Sequence, residues 1–164
     1  MKKNDLKNAM ILDPKNQLQL FGFEDYFHLF IKIYKKNKLP NTILFNGPKG
    51  IGKSTFAYHF INFMLSGDEE NKYSVENFSI NYENRSYKNL CSNIHPNFFL
   101  LDKIDQDENI KIELSRNLLK FLNKSTYSNN MKIILVDNAE FLNVNAANAL
   151  LKAIEEPNLN TFFF

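Results

Sequence analysis

The chain has 164 residues, 44% of them hydrophobic, and a formal net charge of +2 at pH 7, which together exclude a largely disordered protein. The small net charge also excludes a strong general attraction to nucleic acid, and the single cysteine excludes an internal disulfide framework. We expect a cytoplasmic protein without a membrane span, because no apolar run reaches the roughly 18 residues that a span needs.

The first half of the chain predicts two helices and one strand. Apolar residues at helical spacing predict an amphipathic helix over 24–37. A short apolar run then predicts a buried strand over 42–45, and a second helix is expected over 53–66. Residues 67–94 are polar and aperiodic, so we expect them to form an insertion on the surface.

The second half alternates more regularly between strands and helices. Strands are predicted over 97–101 and 131–136, with helices over 112–123 and 144–156, and a last strand begins at Thr161. Because the strands are apolar on both faces, we expect a parallel α/β sheet that is covered on both sides, in three layers. The chain stops within this last strand, so we expect it to be the amino-terminal part of a longer protein.

Residues 47–54 read Gly-Pro-Lys-Gly-Ile-Gly-Lys-Ser, which fits the phosphate-binding pattern G-x-x-x-x-G-K-[ST] between a strand and a helix. Glycines let successive backbone N–H groups converge on phosphate oxygens, and the positive end of the following helix adds to this attraction. Lys53 is expected to reach the phosphates, and the Ser54 hydroxyl to bind Mg²⁺. The predicted nucleotide-binding residues in this segment are Gly47, Pro48, Lys49, Gly50, Ile51, Gly52, Lys53, Ser54 and Thr55.

An acidic residue follows the third predicted strand. Four apolar residues, 133–136, precede Asp137, which therefore lies at the carboxyl edge of the sheet, where ligands bind in open α/β folds. We predict that Asp137 joins Ser54 in holding Mg²⁺ with the nucleotide. The alternative is that Asp137 only caps the next turn.

The stretch after this strand carries a family resemblance. Residues 137–140 read Asp-Asn-Ala-Glu, and residues 145–157 read N-A-A-N-A-L-L-K-A-I-E-E-P. Over about residues 20–164 the chain resembles the bacterial clamp-loader ATPases of the AAA+ superfamily. The resemblance implies a three-layer P-loop NTPase domain of the AAA+ type over 1–164, without the lid and collar domains that follow it in the family.

The resemblance also implies a role, cofactors and partners. The role is that of a subunit of the DNA polymerase III clamp loader, which opens the sliding clamp and loads it onto primed DNA. The implied cofactors are ATP and Mg²⁺. The implied partners are the other clamp-loader subunits (tau/gamma and delta), the sliding clamp and, through the complex, primed DNA.

Two departures from the family pattern qualify this role. Active members have Asp-Glu where this chain has Asp137-Asn138, and an amide cannot take the proton of an attacking water. We therefore expect nucleotide binding with weak or absent hydrolysis. The family also carries four cysteines between the P-loop helix and the second strand, whereas this segment holds only Cys91, so we expect no zinc site.

Three other interpretations stay open. The first is the tau/gamma motor ATPase of the clamp loader, against which Asn138 and the missing cysteines argue. A small-molecule P-loop kinase would need a substrate site and a lid in 67–94, and it leaves the match over 145–157 unexplained. A rigid stator that binds no nucleotide is the third.

Overall fold

The computed structural model describes residues 13–102, 112–124, 131–142 and 144–164. The chain divides into two compact units. The helical unit comprises the chain up to Leu39 together with Asn46–Ile94, and the α/β unit comprises Pro40–Phe45 together with His95–Phe164.

The helical unit contains α1 (Glu24–Lys35), α2 (Lys53–Leu65) and α3 (Arg85–Cys91). The first two confirm the helices predicted from apolar spacing. The third lies in the segment for which the sequence predicted no helix, because seven residues with two buried positions are too few for a visible period. Its start is fixed instead by Asn84, whose side chain accepts a hydrogen bond from the backbone N–H of Tyr87 at 2.6 Å.

Aromatic side chains form the core of the helical unit. Phe27 of α1 is fully buried and meets Phe56 and Phe60 of α2 edge to face, with ring centroids 5.7 and 5.8 Å apart. It also stacks on Tyr73 at 5.0 Å. Helix α2 buries every residue from Phe56 to Asn62, so it is enclosed on all sides.

The α/β unit is built on a parallel sheet of β1 (Phe98–Leu101), β2 (Lys132–Val136) and β3 (Thr161–Phe163), in that order. Helix α4 (Ile112–Asn123) connects β1 to β2, and α5 (Val144–Glu155) connects β2 to β3. The predicted parallel α/β class is therefore confirmed.

The central strand explains why the sequence showed this class so clearly. Ile133 and Ile134 of β2 point to opposite faces of the sheet, and both are fully buried. Side chains from the strands and from both helices make one apolar core: Leu101, Leu118, Leu122, Ile134, Leu150 and Phe163. No helix among the described residues is long and apolar enough to cross a membrane.

The buried strand predicted over 42–45 is wrong in its extent and its burial. Only Thr42 bridges to Phe163 in parallel, and the N–H of Ile43 donates to the Phe163 carbonyl at 2.9 Å. Leu44 is 83% exposed. The segment pairs with β3 on one side, at the edge of the described sheet, and an apolar run in a sequence does not distinguish an edge from a centre.

Candidate functional site

The predicted phosphate-binding loop leads directly into α2. Residues 47–51 are exposed, and Gly50 and Gly52 have φ angles of +84° and +100°, in the left-handed region that glycine favours. Gly52 is the N-cap of α2, and as a glycine it contributes no side-chain hydrogen bond to the start of this helix. The positive end of the α2 dipole, which favours anions, therefore lies next to this exposed loop.

Lys53 lies folded back over this loop. Its ammonium group donates hydrogen bonds to the carbonyls of Gly47 at 2.9 Å and Pro48 at 3.0 Å. These two bonds join the beginning of the loop to its end and fix a positive charge beside it. Ser54 and Thr55 follow in the first turn of α2, where both are half-buried.

We expect Gly52→Ala to damage both the loop and the fold. A β-carbon at this position would lie 3.2 Å from Cε2 of Phe23, and its backbone would keep a φ of +100°. The free energy of unfolding should fall by about 1–3 kcal/mol in urea titrations. Gly67→Ala is the control, because a β-carbon there meets nothing within 4 Å and its φ is ordinary. If the two variants were equally stable, the strain that we expect of an alanine at position 52 would be contradicted.

Asp137 lies in the α/β unit, immediately after β2. Its backbone N–H donates to the Leu101 carbonyl at 3.0 Å, and its carboxylate accepts the N–H of Asn138 at 3.0 Å. The side chain is half-buried at the carboxyl end of the strand, as the sequence predicted. The role of Asp137 at Mg²⁺ stays a prediction, because Asp137 and the loop belong to different units.

The side chain of Asn138 makes a hydrogen bond that the sequence did not predict. Its φ is +56°, and its side-chain amide donates to the carboxylate of Asp102 at 2.9 Å. Asp102 is the residue directly after β1, so this bond ties the ends of two neighbouring strands. The polar residue after the apolar run 98–101 was the signal that could have directed attention to Asp102.

The family's zinc chemistry does not fit the residues that this chain provides. Cys91 is half-buried, its thiol lies 3.5 Å from the Lys15 carbonyl, and burial raises its pKa. Across residues 13–102, 112–124, 131–142 and 144–164, no three His, Cys, Asp or Glu side chains gather as a metal site would require.

A glycine loop that opens a helix, together with a parallel sheet whose strands end in polar residues, defines a P-loop protein of the α/β class. Residues 22–164 match the family described as "DNA polymerase III, delta subunit". The chain belongs to this family, which confirms the predicted clamp-loader resemblance.

Individual relatives agree with this assignment. The chain is 32% identical to DNA polymerase III subunit delta' of Pseudomonas aeruginosa over 118 residues, covering 72% of this chain and 34% of the relative. For subunit delta' of Bacillus subtilis the identity is 30% over 131 residues, covering 77% and 36%. The chain thus spans about a third of the length of these relatives.

Two further similarities are to proteins of the gamma kind. The chain is 27% identical to DNA polymerase III subunit tau/gamma of Haemophilus influenzae over 153 residues, covering 88% of this chain and 20% of the relative. A crystal structure of a DNA polymerase III gamma subunit-related protein from Thermotoga maritima aligns with 40% of this chain and 22% of its own, at 35% identity and a TM-score of 0.35. Because the relatives with the higher identities are delta' subunits, delta' is the main interpretation.

Proposed function

We propose that this chain is the nucleotide-binding part of a delta'-type clamp-loader subunit, which binds ATP with Mg²⁺ and helps load the sliding clamp onto primed DNA. The geometry of the loop carries this proposal, because its glycines, the start of α2 that follows them and Lys53 together suit a polyphosphate. Family membership supports other DNA polymerase III subunits as partners. The specific partners that we propose are tau/gamma, delta and the clamp, in the cytoplasm.

The residues of the loop fit a nucleotide with its metal ion. Backbone amides over 47–55 would bind the phosphate oxygens, Lys53 would neutralise part of their charge, and the Ser54 hydroxyl would hold the ion. The sequence predicts Asp137 as the acidic partner of this ion. Mg²⁺ would supply further charge neutralisation for the phosphates. Residues 47–55 contain no carboxylate that would oppose this binding.

Titration of the purified chain with a fluorescent ATP analogue, in the presence of Mg²⁺, tests this proposal. Saturable binding that unlabelled ATP reverses is the expected result, and it would exclude a stator that binds no nucleotide. An absence of binding up to millimolar analogue would overturn the proposal. A small-molecule P-loop kinase would also bind the analogue, but it would in addition transfer phosphate from ATP to a small-molecule acceptor.

We expect no ATP hydrolysis above background from this chain, because Asn138 cannot act as a general base and its amide is engaged with Asp102. Asn138→Glu should not create activity, since it would place a second carboxylate beside that of Asp102. Release of inorganic phosphate, measured with and without Mg²⁺, is the assay. Rapid turnover by the unaltered chain would instead favour the tau/gamma motor role.

A further inference from the structure

We propose that a hydrogen-bonded polar clasp, and not a zinc ion, holds residues 67–94 against α2. The polar clasp consists of Asn62, Glu69, Asn71, Asn84 and Ser86, all within the helical unit. The family places its zinc module in this segment, and this chain offers one cysteine there. The proposal concerns how the segment is fixed, so it does not depend on nucleotide binding.

One half of the clasp is centred on Asn84, which is fully buried between α2 and α3. Its side-chain oxygen accepts the Nδ2–H of Asn62 at 3.0 Å as well as the backbone N–H of Tyr87 at 2.6 Å. Its own Nδ2–H donates to the Asn71 carbonyl at 2.8 Å. A single buried amide thus joins α2, the segment after it and the start of α3.

The other half of the clasp is the carboxylate of Glu69, just beyond the end of α2. It accepts the backbone N–H groups of Arg85 at 2.9 Å and Ser86 at 3.0 Å. The same carboxylate accepts the Ser86 hydroxyl at 2.5 Å, and that hydroxyl is also 3.3 Å from the Leu65 carbonyl. Hydrogen bonds to a charged acceptor are the strong ones in proteins, so this half ties α3 firmly to the end of α2.

The clasp performs the mechanical task that a structural metal performs elsewhere. A zinc ion cross-links chain segments that have too little apolar surface to hold each other. Here the cross-links are amide, hydroxyl and carboxylate groups, and Asn62, Asn84 and Ser86 among them are at most 2% exposed. Removing one of these groups would take a hydrogen bond from its buried partners, which makes each contact costly to lose.

The first test is a comparison of Glu69→Ala with Glu70→Ala by thermal unfolding of the whole chain. The two variants lose the same charge from adjacent positions, but Glu70 is exposed. We expect the melting temperature to fall by about 5–10 °C for Glu69→Ala and by less than about 2 °C for Glu70→Ala. If Glu69→Ala fails to fold while Glu70→Ala folds, the proposal is supported. Equal shifts would overturn it.

A milder variant and a metal assay complete the test. Ser86→Ala removes one hydroxyl but keeps both backbone bonds to Glu69, and we expect a fall of about 2–4 °C. We expect less than about 0.1 zinc ion per purified chain, and no change of melting temperature on adding a chelator. Stoichiometric zinc, combined with a chelator-induced fall as large as that of Glu69→Ala, would show that metal holds the segment.

Discussion

Replacing Lys53 with alanine is expected to weaken binding of ATP with Mg²⁺ about 10- to 100-fold. The loss follows from a charge-assisted hydrogen bond to phosphate that is worth roughly 1.5–3 kcal/mol. The ammonium group already lies beside the loop, at 2.9 and 3.0 Å from two of its carbonyls, so little rearrangement is needed for it to meet a phosphate. Fluorescence titration of the ATP analogue measures the effect.

Lys49→Ala is the matched control for this variant. It removes the same charge from the same loop, but the Lys49 side chain is exposed and only its backbone is expected to contact phosphate. We expect its dissociation constant to change by less than about 3-fold, as for an exposed and screened charge. An unchanged constant for Lys53→Ala would contradict the assignment of the loop. Equal losses at both positions would indicate general electrostatic attraction and no specific contact.

Lowering the pH from about 6.5 to 4 is expected to remove about 3 kcal/mol of stability through His59 alone. This side chain is fully buried, and burial lowers its pKa to about 4, although a hydrogen bond to the Gln17 carbonyl acts in the opposite direction. In the unfolded chain the pKa is about 6.5. Between these values the unfolded state binds a proton that the folded state does not. The stabilisation is therefore complete above pH 6.5 and is lost as the pH falls through 4.

The contacts of His59 also indicate its neutral tautomer and the best replacement. Nε2 lies 3.1 Å from the Gln17 carbonyl, which only accepts, so Nε2 carries the proton and Nδ1 accepts from the Tyr73 hydroxyl at 3.0 Å. An amide can donate and accept in the same way without titrating. Urea unfolding of His59→Gln should show a flatter pH dependence, whereas His28→Gln, at an exposed position, should resemble the unaltered chain. Identical slopes for all three proteins would contradict this account.

The sequence predicted those parts of the molecule whose signal is local. Apolar spacing located α1 and α2, and continuous apolar runs located β1 and β2. Glycine and lysine at fixed offsets located the loop over 47–54, because the backbone conformation there depends on those residue types.

The remaining features depend on contacts between distant residues. Asn84 caps α3 only because Asn62, 22 residues earlier, holds its side chain in the core. The bond from Asn138 to Asp102 spans 36 residues and exists only once β1 and β2 are paired. A local pattern in the sequence does not show which distant residues will come into contact. Neither the polar clasp nor the contact of Asp102 with Asn138 could therefore be predicted from the sequence.

The aromatic core of the helical unit has a practical consequence for spectroscopy. The chain contains no tryptophan, so tyrosine dominates its intrinsic ultraviolet emission. One of these tyrosines, the buried Tyr73, is stacked on Phe27. A single indole introduced at Phe21, which is 77% exposed just before α1, would be the sole chromophore excited at the red edge of the absorption band. Motion of the helical unit could then be followed optically in a mixture that contains no other tryptophan.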